Sequence, residues 1–163
     1  MKHPTPAMLR LMDAAANRGR EALRCLEDTA RFILADGTAA AEFKSIRHAL
    51  VSALRPLGLS DAVACRDIKT DVGKDTKTSG QLELKNLAEM VDAAFGRAGE
   101  ALRSLEEVAR TMDIPASMQI ESLRYRLYAA AKGLQMASRP VGRLPPTIRK
   151  QCDPMRVTPL VPR

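Results

Sequence analysis

A charged segment between two predicted helical regions holds the side chains best suited to phosphate chemistry. Asp67 and Asp71 offer carboxylate oxygens, which are the ligands that Mg²⁺ prefers. Arg66 and Lys74 can neutralise the charge of a phosphate. Thr78 lies just before a predicted helix, whose N-terminus can receive an anion. The segment therefore predicts a phosphate site in which the two aspartates bind the metal and, with the lysine, form the catalytic set.

The sequence leaves a second interpretation of this segment open. The phosphate-binding pattern G-x-x-x-x-G-K-[ST] is absent, and Gly73-Lys74 alone is a weak signal. A solvated charged loop has the same composition. The functional interpretation depends on length, because a connection as long as 57–80 is uncommon inside a compact domain and is often functional.

A second set of candidate residues lies on one face of the first helix. Asn17, Glu21, Arg24 and Asp28 follow each other at spacings of four, three and four, which places them on one side of a helix. Two interpretations stay open. The charges bind a substrate, or they form solvated helix pairs that each stabilise the helix by only ~0.2–0.5 kcal/mol. The predicted substrate-binding residues are Asn17, Arg18, Glu21, Arg47, His48, Arg66, Thr78, Arg97 and Glu100.

The elements that must position these residues come from an internal repeat. Residues 13–32 and 92–111 align at an offset of 79 and share 12 of 20 positions. Apolar residues recur at helical spacing in both copies, so each copy is predicted to begin a helical hairpin. The predicted fold is all-α, with duplicated hairpins (about 6–56 and 81–138) in an antiparallel bundle and a long loop over 57–80 between the repeats. The predicted helices are 6–35, 39–55, 81–112 and 116–138.

Local signals mark the ends of these helices. Thr5-Pro6 is predicted to start the first helix and Asp36-Gly37 to stop it, with Thr38 capping the second. Thr78 and Gln81 are predicted to form a capping box for the third helix, and Pro115 to lie in the first turn of the fourth. Helices near 30 residues long also offer surface for a homodimer.

Composition excludes several classes of protein. The net charge is +7, but the proline-rich tail 139–163 carries +5 of it, so nucleic acid is not the expected partner of the domain over 1–138. We expect the tail to be extended or disordered. No apolar run is long enough for a membrane span, and Cys25, Cys65 and Cys152 form no metal-binding pair. We expect a cytoplasmic protein.

Four ordered motifs resemble a known family. Residues 16–28, with Phe32 after them, resemble the start of the helical domain fused ahead of thiamine phosphate synthase in some bacteria. Lys44-x-x-Arg47-His48 resembles the next element of that domain. Cys65-Arg66-Asp67 with Asp71-Val72-Gly73 resembles its loop motif, and residues 100–107 resemble its second E-A-L-R-x-L-E-E element. The sequence departs from the family pattern at Gly96, where asparagine is usual, and at Ile68, where threonine is usual.

The resemblance implies an activity. That family is described as an alternative hydroxymethylpyrimidine phosphate kinase, which converts 4-amino-5-hydroxymethyl-2-methylpyrimidine phosphate to the diphosphate with ATP and Mg²⁺. The chain would be a stand-alone version, able to work beside a separate thiamine phosphate synthase. Two alternatives stay open. One is a non-catalytic helical module that binds a thiamine intermediate or the synthase, and the other is a nucleic-acid binder that uses the basic tail.

Overall fold

The computed structural model describes residues 3–67 and 84–139, and every regular element in those ranges is helical. The prediction of an all-α fold is confirmed. The elements are α1 (Pro6–Asp28), which runs on into a π-helical turn (Thr29–Ile33), α2 (Gly37–Leu54), 3-10 turns at Arg55–Leu57 and Leu59–Cys65, α3 (Leu87–Arg110) and α4 (Ile114–Ala137).

Two predicted helix starts are confirmed. Thr5 caps α1, because its hydroxyl accepts a hydrogen bond from the backbone N–H of Met8 at 3.3 Å, and Pro6 follows in the first turn. Pro115 lies in the first turn of α4, where its missing N–H costs no hydrogen bond.

The junction between the first two helices differs from the prediction. The chain was expected to stay α-helical to residue 35, but α1 ends at Asp28 and the π-helical turn takes over. The stop is Ala35, with a positive φ of 53°. Asp36 and Gly37 do not end a helix: Asp36 caps α2 by accepting from the N–H of Ala39 at 2.9 Å. Thr38 is therefore not the cap, because the carboxylate two residues earlier already satisfies the free N–H.

The start of the third helix was also predicted wrongly. The helix begins at Leu87 rather than at residue 81, and its cap is Asn86, whose side-chain oxygen accepts from the N–H of Glu89 at 3.0 Å. Glu89 returns the contact by accepting from the N–H of Lys85 at 2.9 Å. Thr78 and Gln81, the predicted capping box, lie outside the described residues. The predicted loop over 57–80 is in part a short helix, since Leu59–Cys65 forms 3-10 turns.

An aliphatic core joins the four helices. α1 packs against α2 and α3, and α4 packs against α2 and α3. α1 and α3 approach closely at Gly19, where an added Cβ would lie 3.3 Å from the Cβ of Ala101. Among the largest fully buried side chains are Met12, Leu23, Leu26, Phe43, Ile46, Leu50, Leu102, Leu105, Ile120 and Leu127.

Within residues 3–67 and 84–139, no helix has the length and apolar character needed to cross a bilayer.

Candidate functional site

A buried glutamate ties α1 to α2. Glu27 is only 5% exposed, and its Oε2 accepts from Nε and Nη2 of Arg47 at 3.1 and 3.0 Å. Its Oε1 accepts from Nη1 of Arg24 at 3.4 Å. Glu27 is therefore part of a buried ion pair and is not a solvated helix charge. A carboxylate withdrawn from water needs such partners, so it fixes the position of both arginines.

The second hairpin repeats this arrangement. Glu106 is fully buried, and its Oε2 accepts from Nε of Arg124 on α4 at 2.9 Å. Its Oε1 accepts from Nη2 of Arg110 at 2.7 Å, and it also pairs with Arg103. Glu106 is the repeat counterpart of Glu27, and Arg124 aligns with Arg47 in the weaker repeat of the second helices. Each hairpin is thus held by the same ion pair between its two helices.

Beside the first ion pair lies an open cleft of about 370 Å³. Residues three or four apart on one face of α1 form one side, and α2 contributes a single arginine. The lining residues are Asn17, Arg20, Glu21, Arg24 and Arg47. The structure therefore brings together three of the predicted substrate-binding residues, Asn17, Glu21 and Arg47, and adds two arginines to them.

Sequence reasoning missed Arg20 and the role of Glu27. Arg20 was not among the predicted binding residues, although it lies one turn from Arg24 on the face that forms the cleft. Glu27 and Arg47 are both unchanged in the second copy, as Glu106 and Arg124. That joint repetition is the signal that could have revealed the ion pair, because a contact between two helices requires both of its partners to be kept.

The matching position in the second hairpin is occupied by aromatic side chains. Tyr128 packs over Gly99, the counterpart of Arg20, and its Cε1 lies 3.6 Å from where a Cβ would be. Phe95 meets the Tyr128 ring edge-on, with centroids 5.7 Å apart. Arg124 donates to the Tyr128 hydroxyl at 3.4 Å. The counterparts of the five cleft residues are Gly96, Gly99, Glu100, Arg103 and Arg124.

Arg66, for which phosphate binding stays a prediction, forms a two-point contact with α1. Its Nε donates to Oδ2 of Asp13 at 2.6 Å and its Nη2 to Oδ1 at 2.9 Å. The same Oδ1 accepts from Nδ2 of Asn17 at 3.2 Å. The hydrogen bond from Arg66 holds the pKa of the Asp13 carboxyl below its usual value, although partial burial opposes the shift. Arg66 is thereby joined through Asp13 to the wall of the cleft.

Other predicted residues lie away from the cleft. Arg18 is exposed and its Nε donates to the carbonyl oxygen of Ala14 at 3.3 Å. His48 is exposed on α2 and is not among the residues that line the cleft. Arg97 and Glu100 are exposed on α3 and are not among the residues that line the cleft.

The predicted metal ligands fall at or beyond the edge of the described chain. Asp67 is exposed and is the last residue described before the break. Asp71, Lys74 and Thr78 lie outside the described residues. In the two described ranges, no three side chains of histidine, cysteine, aspartate or glutamate are grouped closely enough to hold a metal ion.

Comparisons with known proteins match most of the chain. The profile of the ThiD2 family matches residues 10–133. A protein of Rhodopirellula baltica named thiamine-phosphate synthase is 39% identical over 129 residues, which are 79% of this chain and 34% of the relative. A Synechocystis protein of the same name is 35% identical over 159 residues, 97% of this chain and 43% of the relative. The chain thus spans less than half the length of these curated relatives. No solved structure matches it.

Proposed function

The chain belongs to the ThiD2 family, and from this premise we propose that it phosphorylates hydroxymethylpyrimidine phosphate to the diphosphate with ATP and Mg²⁺. Family membership and relatives named thiamine-phosphate synthases support a role in thiamine biosynthesis. The particular reaction is the one implied by the four sequence motifs. The observation that carries the proposal is the mixed charge of the cleft in the first hairpin.

The cleft suits a ligand that is anionic at one end and carries an amine at the other. Arg20, Arg24 and Arg47 can bind a phosphate group through charge-assisted hydrogen bonds. Glu21 and Asn17 offer oxygen acceptors for the exocyclic amine of an aminopyrimidine. A volume of about 370 Å³ is sufficient for a pyrimidine monophosphate.

The chemistry of this transfer makes modest demands on the protein. The attacking atom is an oxygen of the substrate's own phosphate, which is already ionised near neutral pH. No general base is therefore needed to activate it. The residues must align the phosphate and offset the repulsion between two anionic groups, which is the main task in phosphoryl transfer. Arg20 is well suited to this, because it has no ion-pair partner in the described part of the chain.

We place Mg²⁺ on Asp67 and Asp71, as the sequence motif implies. An ion held there would neutralise charge on the phosphoryl group that ATP donates. Arg66, the residue before Asp67, is anchored to Asp13 on α1. Asp13 lies about one helical turn from the cleft residue Asn17. Lys74 and Thr78 are proposed to contact phosphates from the same segment. Asp67→Ala and Asp71→Ala are each expected to abolish turnover without unfolding the protein.

The test is a coupled assay on the purified chain. The protein is mixed with hydroxymethylpyrimidine phosphate, ATP and Mg²⁺, and both ADP and the pyrimidine diphosphate are followed. Formation of the two products in equal amounts supports the proposal. ADP without diphosphate, or neither product from a folded protein that binds the pyrimidine phosphate, contradicts it.

The short span of the match favours one second candidate. The chain covers 34% and 43% of the two relatives described above, so it corresponds to part of a longer synthase in each case. A non-catalytic module that binds a thiamine intermediate, or a separate synthase, has the same relationship to those proteins. It predicts that the pyrimidine phosphate raises the melting temperature while no ATP is consumed.

A further inference from the structure

One carboxylate connects the cleft to the segment that follows α2. Oδ1 of Asp13 accepts from Nδ2 of Asn17 at 3.2 Å and from Nη2 of Arg66 at 2.9 Å. Oδ2 accepts from Nε of Arg66 at 2.6 Å. Asp13 lies one turn before Asn17 on α1, and its side chain is only 14% exposed. Asn17 is in turn one of the five residues that line the cleft.

This contact decides which way the Asn17 amide is turned. An ionised carboxylate can only accept hydrogen bonds, so an asparagine bonded to it must present its NH₂ group. The carbonyl oxygen of Asn17 is then on the opposite side of the amide. Arg66 strengthens the restraint, because a two-point guanidinium contact favours the ionised form of Asp13 and holds its plane.

We propose that Asp13 and Arg66 are positioning residues that lock the Asn17 amide so that its carbonyl oxygen faces the ligand. The inference rests on the proposed function, in which Asn17 contacts the aminopyrimidine. An oxygen acceptor in this place binds an exocyclic amine and opposes an exocyclic oxygen. The lock therefore makes the cleft selective for a 4-amino over a 4-oxo pyrimidine.

The second hairpin has a counterpart of the Asp13 carboxylate but no asparagine for it to orient. Asp92, the counterpart of Asp13, accepts from Nε2 of Gln135 at 2.7 Å and from Nη2 of Arg139 at 3.4 Å. Gly96 stands in place of Asn17, so no amide is present to orient. Asp92→Asn therefore changes the same type of side chain at the equivalent place and serves as the matched control for Asp13→Asn.

The test compares the dissociation constants of the 4-amino pyrimidine phosphate and its 4-oxo analogue. The unaltered chain is expected to prefer the amine by about tenfold or more, since the wrong analogue leaves a polar group unpaired. Asp13→Asn permits either orientation of Asn17, so the preference is expected to fall to about twofold. Asp92→Asn is expected to keep it. Arg66→Lys retains the charge but loses the two-point contact with Asp13. It is expected to give a ratio of dissociation constants between those of the unaltered chain and Asp13→Asn.

Nuclear magnetic resonance of the Asn17 side-chain amide tests the positioning role of Asp13 and Arg66 separately from the proposed function. Its signals, assigned by their loss in Asn17→Ala, are expected to move in Asp13→Asn and Arg66→Ala and to stay in Asp92→Asn. If the ligand binds but the Asn17 signals and the preference are unchanged in Asp13→Asn, the positioning role is wrong while the proposed function stands. If the unaltered chain binds neither pyrimidine, the proposed function fails and the positioning role falls with it.

Discussion

At the scale of single residues, the buried glutamates do most to define the molecule. Glu106 is fully buried and is held by arginines from both helices of its hairpin. Glu27 is held in the same way in the first hairpin, where its partner Arg47 also lines the cleft. A buried charge is costly unless it is paired, so these residues specify which face of each helix turns inward. The same ion pair thus stabilises the core and positions an arginine that lines the cleft.

Removing Arg124 is expected to destabilise the protein strongly. The substitution Arg124→Ala takes away the partner of Glu106 that comes from the neighbouring helix, and the expected loss is about 3 kcal/mol in the free energy of unfolding. Arg103→Ala is the control, because Arg103 is half exposed and solvent screens its pair, so its expected loss is about 1 kcal/mol or less. Urea unfolding midpoints measure both. Equal losses would contradict the role given to the buried contact.

The Asp13 carboxyl gives a prediction about pH. Its hydrogen bond from Arg66 lowers its pKa in the folded state, so the folded state binds this proton more weakly than the unfolded chain does. The pair therefore contributes stability above the ordinary aspartate pKa, and that contribution is lost as the pH falls through the lowered value. A carbon-13 titration should place the Asp13 midpoint below 3.8, and Arg66→Ala should raise it. An unchanged midpoint in Arg66→Ala would show that the contact does not persist in solution.

At the scale of the helices, two glycines have opposite roles. At Gly19 an added Cβ would lie 3.3 Å from the Cβ of Ala101, so the absent side chain lets α1 and α3 approach. At Gly96 an added Cβ would meet nothing within 4 Å. Glycine inside a helix costs about 0.5–1 kcal/mol relative to alanine. At Gly19 the close packing of α1 and α3 offsets that cost, whereas at Gly96 no contact offsets it.

Alanine substitutions test this difference. Gly96→Ala is expected to raise the free energy of unfolding by about 0.5–1 kcal/mol, because it gains helix propensity without a clash. Gly19→Ala is expected to give no gain, since the new methyl group must push the two helices apart. Thermal unfolding of both variants measures the contrast. A gain of the same size in Gly19→Ala would mean that the contact is looser than described.

The N-terminal signals of α1 and α4 were predictable from the sequence because they are local. Thr5, Pro6 and Pro115 act within a single turn, and each predicted role is confirmed. The end of α1 was not predictable, since the π-helical turn and the positive φ of Ala35 have no residue signature such as glycine. At such places tertiary packing overrides local preference.

The candidate site was predictable only in part. Helical spacing placed Asn17 and Glu21 on one face, and both line the cleft. Phosphate binding by Arg66 stays a prediction, but its contact with Asp13, far from it in sequence, was not predicted. No spacing rule reports a contact between residues so far apart. The assignment of Asp71 stays a prediction, since this residue lies outside the described ranges.

At the scale of the whole molecule, the two hairpins have diverged. Both keep the buried glutamate and its arginine from the neighbouring helix. The first hairpin keeps an open cleft, whereas in the second Tyr128 and Phe95 pack where that cleft would be. We therefore expect a ligand to bind the first hairpin only, with one ligand site per chain in the described helices.

Calorimetric titration of hydroxymethylpyrimidine phosphate onto three forms of the protein tests this claim most directly. Arg24 and its counterpart Arg103 are both about half exposed and contact equivalent buried glutamates, but only Arg24 lines the cleft. The unaltered chain should bind one molecule, Arg24→Ala should bind about tenfold or more weakly through loss of a charged contact, and Arg103→Ala should bind as the unaltered chain does. Two sites per chain, or equal weakening in both variants, would contradict the placement of the site in the first hairpin.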